Sequence, residues 1–262
     1  LGTENSDDAV LARNWLSLFK ELGTDGMNRK LSKTPVMTLP YGSTQQACTS
    51  SIFKWYMEQG VDFFPTNTNF VHCIFLSKLM WASISEVVIA ARAAMTWIQK
   101  CSTIITSNDM PLQYTSELGF TVYQGTTEVK IKRVDSVIGG NRFQVAIATD
   151  ADKLDVREQR QGSSPNLVHH IDATHMMMCI NEGKAQGIDE FAMIHDDFGV
   201  HACHITDWHK IIRQQYVKLH ENNLLEKFKN EQEEITGLIL PDLPSTGDLD
   251  IALVLKSKYF FG

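Results

Sequence analysis

The sequence lacks several features that would place a protein quickly. Its five cysteines form no Cys-x-x-Cys pair, so neither a zinc ribbon nor a disulfide framework is indicated, and reduced intracellular thiols are the simpler interpretation. No signal-peptide pattern and no initiator Met open the chain, so we expect a processed, trimmed or partial polypeptide. The apolar stretch 70–98 is interrupted by Lys78, Glu86 and Arg92, and we expect a buried core helix there and no membrane partner.

A positive net charge is also lacking. The formal net charge is -7, from 24 Lys and Arg against 31 Asp and Glu. This balance argues only weakly against nucleic-acid binding, because a duplex responds to local positive patches and not to the sum. A solvated surface explains a basic patch more often than binding does. Two such patches are present, one at Arg29, Lys30 and Lys33 and one at Lys130, Lys132 and Arg133.

Hydrophobic periodicity predicts an α+β protein with helices packed on a small antiparallel sheet. The length and the 43% hydrophobic content allow one large or two small domains. We expect the segment 29–42 to be a helix that is kinked or ended near Pro40, and 150–165 to be a loop or short helix. Further helices are predicted at 8–20, 44–59, 66–103, 167–182 and 206–230, and strands at 110–134, 142–149, 190–194 and 198–202.

The segment 191–199 carries two adjacent carboxylates. Apolar residues flank His195, Asp196 and Asp197, which predicts a hairpin with a charged tip. Adjacent carboxylates repel each other, and a divalent cation relieves that repulsion. Hard oxygen ligands suit Mg²⁺, and pairs of such ions catalyse in-line phosphoryl transfer. An ordinary exposed turn with Asp as a turn former explains the segment equally well.

A second pattern places Arg29, Lys33, Met37 and Tyr41 four residues apart. On a continuous helix these side chains share one face. Arg and Lys bind triphosphate oxygens, and a tyrosine ring can stack on a base. Taken alone, the pattern fits a surface helix with one aromatic core contact better than a binding site.

The segment 29–43 resembles the fingers helix, motif B, of the single-subunit RNA polymerases of bacteriophages and mitochondria. The resemblance lies in the Arg, the Lys four residues later, the Val-Met-Thr and the Tyr-Gly. It implies that Arg29 and Lys33 bind the phosphates of the incoming nucleotide. It further implies that Tyr41 gates the insertion site and helps distinguish ribose from deoxyribose. The implied nucleotide-binding set is Arg29, Lys33, Met37, Tyr41 and Gly42.

Two further segments resemble palm motifs of the same family. The Ile-His-Asp at 194–196 resembles motif C, which implies catalytic roles for His195 and Asp196, with Asp196 as a ligand of two Mg²⁺ ions. Asp197 is an auxiliary at most. The segment 165–169 resembles a motif whose histidine contacts the primer–template duplex, which implies His169. The implied partners are a DNA template, nascent RNA and nucleoside triphosphates.

The resemblance covers nearly the whole chain, from about Ala12 to Gly262, and implies a right-handed polymerase palm and fingers. We expect an N-terminal helix and linker at 1–28, a fingers subdomain at 29–150 and a palm portion at 151–262. The palm portion would contain the metal-binding hairpin and an aromatic C-terminal end, Tyr259 to Phe261, which lies near the active site in this family.

One family feature is missing. The first catalytic aspartate of the family lies on a separate palm strand, motif A, and nothing before Arg29 has its pattern. Asp7, Asp8 and Asp25 stand in helix-start or turn contexts. We therefore expect an RNA polymerase that is active only when a second polypeptide supplies the aspartate. The chain is then either the C-terminal subunit of a split phage enzyme or a fragment of one long chain. The expected location is an infected bacterial cytoplasm, with the mitochondrion as the alternative.

Two rival functions remain open. A non-catalytic nucleic-acid-binding subunit would keep the basic helix and the stacking aromatics without needing a metal. A zinc hydrolase is the rival enzyme, since metal-ligand spacing is present at His169, His170, Asp172 and His175. For the smaller group His201, Cys203 and His204, scattered strand and turn positions are the better interpretation.

Overall fold

The computed structural model describes residues 6–24 and 26–260. The chain forms two compact units, 1–95 and 96–262, and the division falls within one helix. The domain boundaries predicted at 28/29 and 150/151 divide the chain by the role of each region, whereas the two compact units are divided by packing. The predicted boundaries therefore stay predictions. Asp25, Phe261 and Gly262 lie outside the described residues.

The elements of the first unit that the structure describes are all helices. Polar side chains cap three of its described helices: the Ser6 hydroxyl accepts from the Ala9 amide, the Asn28 amide oxygen from Leu31 and the Thr44 hydroxyl from Ala47. Its elements are α1 (Asp7–Glu21), α2 (Arg29–Thr38), a 3-10 turn (Leu39–Tyr41), α3 (Gln45–Glu58), α4 (Asn69–Val87) and the first turns of α5 (Ile89–Ser107).

Aromatic side chains dominate the core of this unit. The Phe64 ring stacks on Tyr56 at 4.8 Å and on His72 at 4.0 Å between centroids. The Trp15 indole nitrogen donates to the His72 carbonyl at 2.9 Å. These contacts tie α1, α3 and α4 together, and the bond to His72 satisfies the buried indole nitrogen of Trp15.

The helix predicted over 66–103 is two helices. α4 ends at Val87, and Val88 leaves the helical region with φ -101° and ψ 57° while its amide donates to the Ile84 carbonyl. No Gly or Pro marks this break; the run from Val87 to Ile89 is β-branched, and such residues are weaker helix formers. α4 is long and apolar enough to cross a membrane by length and composition alone. Its buried side chains pack into the core of this unit.

The second unit combines helices with three antiparallel hairpins, which confirms the α+β class. Among the described residues, the strands form three separate two-stranded sheets where a single small sheet was predicted. The elements after α5 are β1 (Leu112–Thr115), β2 (Thr121–Gln124), β3 (Thr127–Ile138), β4 (Asn141–Leu154), α6 (Val156–Ala185), β5 (Phe191–Ile194), β6 (Asp197–Val200), a 3-10 turn (Ala202–His204), α7 (Ile205–Glu221), α8 (Leu224–Thr236) and a 3-10 segment (Ile251–Lys256).

The β3–β4 hairpin is long and largely exposed. Gly139 and Gly140 form its two-residue turn with φ 60° and 82°, the positive values that a type I′ turn requires. The second basic patch lies on β3, where side chains alternate between faces. Lys130 and Lys132 therefore share one face, and Arg133 lies on the other.

Two predicted boundaries in this unit were wrong. The segment 150–165, expected to be a loop or short helix, is the end of β4 and the beginning of the long α6, because the Asp155 carboxylate accepts from the Arg157 and Glu158 amides and starts the helix there. Pro165 then lies inside a 30-residue helix. The expected helix 206–230 is α7 and α8, since the Asn223 side chain caps a new helix by accepting from the Glu226 amide.

Candidate functional site

The predicted basic face is present on α2, in the first unit. Arg29, Lys33 and Met37 are exposed, while Leu31 and Pro35 face inward and are buried. This arrangement follows from the helical period, which separates an apolar stripe from a polar one. The structure therefore brings the two cations and Met37 to one accessible face.

The end of α2 sets the position of Tyr41. The α-helix continues through Pro35 but ends at Thr38, and the chain tightens into a 3-10 turn over Leu39–Tyr41. Gly42 then takes φ 81°, and its amide donates to the Leu39 carbonyl at 3.0 Å. Only glycine adopts this backbone region without strain. Tyr41 is thus presented at 38% exposure by a tight turn and not by a continuous α-helix.

The three cations of α2 differ in their partners. Lys30 forms an ion pair with Glu58 of α3 at 3.8 Å. Within the described part of the chain, neither Arg29 nor Lys33 has an ion-pair partner. Anion binding would therefore cost these two residues no existing salt bridge.

The carboxylate turn lies in the second unit, at the tip of the β5–β6 hairpin. Ile194 pairs with Asp197, so the loop is only His195 and Asp196. His195 has φ 55°, a conformation that costs a non-glycine residue about 1–3 kcal/mol and that is found preferentially at functional sites. Asp197, predicted as part of the turn, is the first residue of β6.

Packing beneath the hairpin holds its tip. Phe191 and Phe198 pack with Trp208 of α7 at centroid distances of 5.4 and 6.4 Å. The Trp208 indole nitrogen also donates to the Phe198 carbonyl at 3.2 Å. At Gly199 the backbone of the opposite strand is so close that a Cβ would lie 2.9 Å from the Ala192 oxygen. The hairpin is therefore a closely fitted support for an exposed acidic tip.

The tip of the hairpin supplies some of the ligands that a hard divalent cation needs. Asp196 and Asp197 are exposed, and no Lys or Arg among the described residues forms an ion pair with either. Carboxylate oxygens on a tight turn are ligands that Mg²⁺ accepts. No group of three or more His, Cys, Asp or Glu side chains in the described ranges is arranged to hold a metal ion. The tip therefore offers part of a coordination shell.

The histidines of α6 face different surroundings. His169 is exposed. His170 packs edge-on against Tyr114 at 5.1 Å, and burial lowers its pKa. His175 is buried, its Nε2 donates to the Ile212 carbonyl at 2.9 Å, and burial lowers its pKa as well. The ligand set of the rival zinc hydrolase is therefore not assembled. In the smaller group of His201, Cys203 and His204, the His201 imidazole contacts the Glu190 carboxylate at 2.6 Å.

The sequence patterns missed one buried residue on α7, the helix that packs beneath the carboxylate hairpin. Arg213 of α7 is buried and contacts the C-terminal segment, including the ring of Phe260. The sequence signal that could have identified Arg213 is its position directly after Ile212, which faces inward on an amphipathic helix. Of the predicted aromatic end, Tyr259 is exposed and Phe260 packs against the core beneath the hairpin.

Comparison with known proteins gives a consistent result. A family model described as DNA-dependent RNA polymerase matches residues 7–238. The chain is 34% identical over 250 residues to the chloroplastic DNA-directed RNA polymerase 3 of Nicotiana sylvestris, covering 94% of this chain and 25% of that protein. It is 34% identical over 239 residues to the chloroplastic/mitochondrial DNA-directed RNA polymerase 2 of Arabidopsis thaliana, covering 90% and 23%.

A third relative is shorter. The DNA-directed RNA polymerase 2A of Nicotiana tabacum is 32% identical over 237 residues, which cover 90% of this chain and 69% of that protein. The chain spans about a quarter of the length of the first two relatives.

Proposed function

This chain belongs to the DNA-dependent RNA polymerase family, and on that premise we propose that it is the part of a polymerase that binds the incoming nucleotide and one side of the catalytic metal site. The reaction is template-directed nucleotidyl transfer, in which a primer 3′-hydroxyl attacks the α-phosphate of a nucleoside triphosphate and pyrophosphate leaves. The DNA template, the nascent RNA and the nucleoside triphosphates are the partners.

The observation that carries the proposal is the position of Asp196. Its carboxylate stands at the tip of a two-residue turn, on a hairpin packed against α7. The backbone strain at His195 is the kind that persists where the surrounding structure fixes a functional geometry. Asp196 holds magnesium in this proposal, and His195 sets the turn that presents it.

Magnesium is the proposed cofactor, as two ions. Asp196 supplies hard oxygen donors, and Asp197 is an auxiliary. When bound, such ions stabilise the charge that develops on the attacking and leaving oxygens. A complete site needs carboxylate ligands beyond the described pair.

The face on α2 is the proposed nucleotide site. Arg29 binds phosphate oxygens through its planar fork and Lys33 as a point charge. Both stabilise the charge on the triphosphate, since positioning and electrostatics dominate phosphoryl transfer. Tyr41, fixed by the 3-10 turn and Gly42, lies against the base and sugar, and Met37 completes the surface. On α6, the exposed His169 contacts the primer–template duplex.

The motif A aspartate comes, in this proposal, from polypeptide outside these 262 residues. It lies either in another part of the same chain or in a second polymerase subunit. The names of the first two relatives place them in chloroplasts and mitochondria, which favours an organellar enzyme over one from a phage-infected bacterium. The native mass of the complex, measured after purification from its source, distinguishes one long chain from two chains in equal amounts.

The deciding experiment is Asp196→Asn in the complete polymerase. Asn keeps the size of the side chain but loses its charge, so we expect RNA synthesis to fall by at least about 100-fold, the scale of losing one electrostatic contact to the transition state. Asp207→Asn on α7, an exposed residue that forms an ion pair with Lys210, is the matched control and should retain parental synthesis.

Duplex binding separates the two remaining functions. It should stay close to parental in Asp196→Asn, because that residue acts on the metal and not on the duplex. Parental RNA synthesis by Asp196→Asn would refute the metal role and favour a non-catalytic nucleic-acid-binding subunit.

A further inference from the structure

Arg213 brings a positive charge into the interior, where it contacts the C-terminal segment. It follows Ile212 on α7 and is only 4% exposed. Across residues 6–24 and 26–260 no carboxylate forms an ion pair with it, and its Nε has no hydrogen-bond partner. Buried charges are ordinarily paired, because removing them from water is costly. The guanidinium is therefore held by partners of another kind.

Those partners join α7 to the C-terminal segment 257–260. Nη2 donates to the Ser257 carbonyl at 3.1 Å, and the guanidinium carbon lies 5.5 Å from the centroid of the Phe260 ring. On its own helix, Nη1 donates to the His209 carbonyl at 3.3 Å and contacts the imidazole of His209. One side chain thus holds both the backbone and an aromatic ring of the segment.

The held segment is connected to the hairpin through packed rings. Phe260 packs edge-on against Tyr216 at 4.8 Å, and Tyr216 packs against His175 at 5.5 Å. His175 in turn contacts Phe198 at 5.4 Å. Phe198 is on β6, two residues after Asp196. A continuous series of contacts therefore runs from Arg213 to the strand that presents the carboxylate.

We propose that Arg213 is a positioning residue for nucleotidyl transfer: it fastens the segment 257–260 to α7 and thereby fixes the hairpin that carries Asp196. This inference rests on the proposed function of Asp196. Arg213 does not touch substrate or metal in this role. It acts through Phe260 and the rings of Tyr216 and His175.

Physical chemistry separates this role from simple stabilisation. A buried charge is weak evidence for a contribution to stability, since apolar side chains of similar volume often replace such charges without loss. Arg213→Met keeps an unbranched apolar stem at this position and removes the hydrogen-bond donors of the guanidinium. A stabilising role predicts a lower melting temperature. A positioning role predicts a parental melting temperature with slower chemistry, because displacements near 1 Å can reduce a rate by about 100-fold.

The test compares Arg213→Met, Arg213→Lys and the control Lys218→Met, an exposed residue of the same helix, in the complete polymerase. For Arg213→Met we expect kcat to fall by roughly 10- to 100-fold. The KM for nucleoside triphosphate should stay near the parental value, because the residues of α2 are unchanged. Arg213→Lys keeps a donor for one acceptor and should show an intermediate kcat, and it also provides the measurement if the Met variant fails to fold. Lys218→Met should match the parent.

A double-mutant cycle with Phe260→Ala tests the proposed route. If Arg213 acts through Phe260, the two substitutions together should lower kcat no more than the stronger one alone. Amide hydrogen exchange should become faster in residues 191–200 of Arg213→Met, a readout that does not depend on activity.

Each failure has a separate signature. Parental kcat in Arg213→Met beside an inactive Asp196→Asn overturns this inference alone. If Asp196→Asn retains RNA synthesis, the proposed function is refuted. If hydrogen exchange at residues 191–200 is then also unchanged in Arg213→Met, the positioning role is overturned too. Strictly additive effects of Arg213→Met and Phe260→Ala, or a lowered melting temperature with parental kcat, also overturn it.

Discussion

Gly199→Ala tests whether the fit of the β5–β6 hairpin matters for the site at its tip. An added Cβ at this position would lie 2.9 Å from the Ala192 carbonyl oxygen and 3.2 Å from its Cβ. The first contact is with backbone, which a rotamer change cannot move aside. The strands must therefore separate by a few tenths of an ångström, and overpacking of this kind costs about 1–3 kcal/mol.

The assay is amide hydrogen exchange of residues 191–200 in the complete polymerase, read beside RNA synthesis. A loss of about 1–3 kcal/mol from the local opening free energy makes exchange roughly 5- to 150-fold faster. RNA synthesis should fall as well, because the strands that move carry Asp196.

Gly247→Ala is the matched control. A Cβ there would meet nothing within 4 Å, and the backbone has no positive φ. Both substitutions reduce the freedom of the unfolded chain equally, so their difference isolates the contact with Ala192. Equal exchange rates in the two variants would refute the packing argument.

Three further predictions concern the nucleotide face and the buried histidines. Lys33→Ala should lower kcat/KM for nucleotide by roughly 100-fold, whereas Lys30→Ala, which loses only an exposed ion pair, should stay near parental; equal effects in steady-state kinetics would remove the phosphate role. Gly42→Ala must adopt φ 81° with a Cβ, which costs about 1–2 kcal/mol and should lower both thermal stability and synthesis; a parental melting curve would contradict this. Burial lowers the pKa of His175 and His170 from the ordinary 6.5, so the unfolded chain binds more protons and stability should fall as the pH drops through 6.5; a denaturation midpoint that is constant from pH 7 to about pH 5 would refute it.

The sequence by itself determined the features that depend on neighbouring residues. The end of α2 near Pro40 follows from a missing amide donor and from a glycine that tolerates φ 81°. The hairpin at 191–200 follows from apolar residues on both sides of a charged pair. The exposed face of Arg29 and Lys33 follows from the helical period. Each of these signals spans only a few residues, so it can be recognised in the sequence before any tertiary contact is known.

Motif recognition reached further than these local rules. It supplied the family and the roles proposed for Asp196, Lys33 and Tyr41, none of which follows from spacing or charge alone. The family is confirmed by the match over residues 7–238, while the roles of the individual residues stay predictions that the substitutions above test.

Only the tertiary structure decided which polar residues are buried and which helices continue. α6 runs through Pro165, and α7 stops at Glu221 although the amphipathic pattern goes on. His175 and Arg213 read as ordinary polar residues of amphipathic helices, yet both lie inside, held by a carbonyl of another helix or by the C-terminal segment. The physical reason is that burial depends on partners far away in sequence, here 37 and 44 residues distant, whereas propensity and capping act within one turn of the chain.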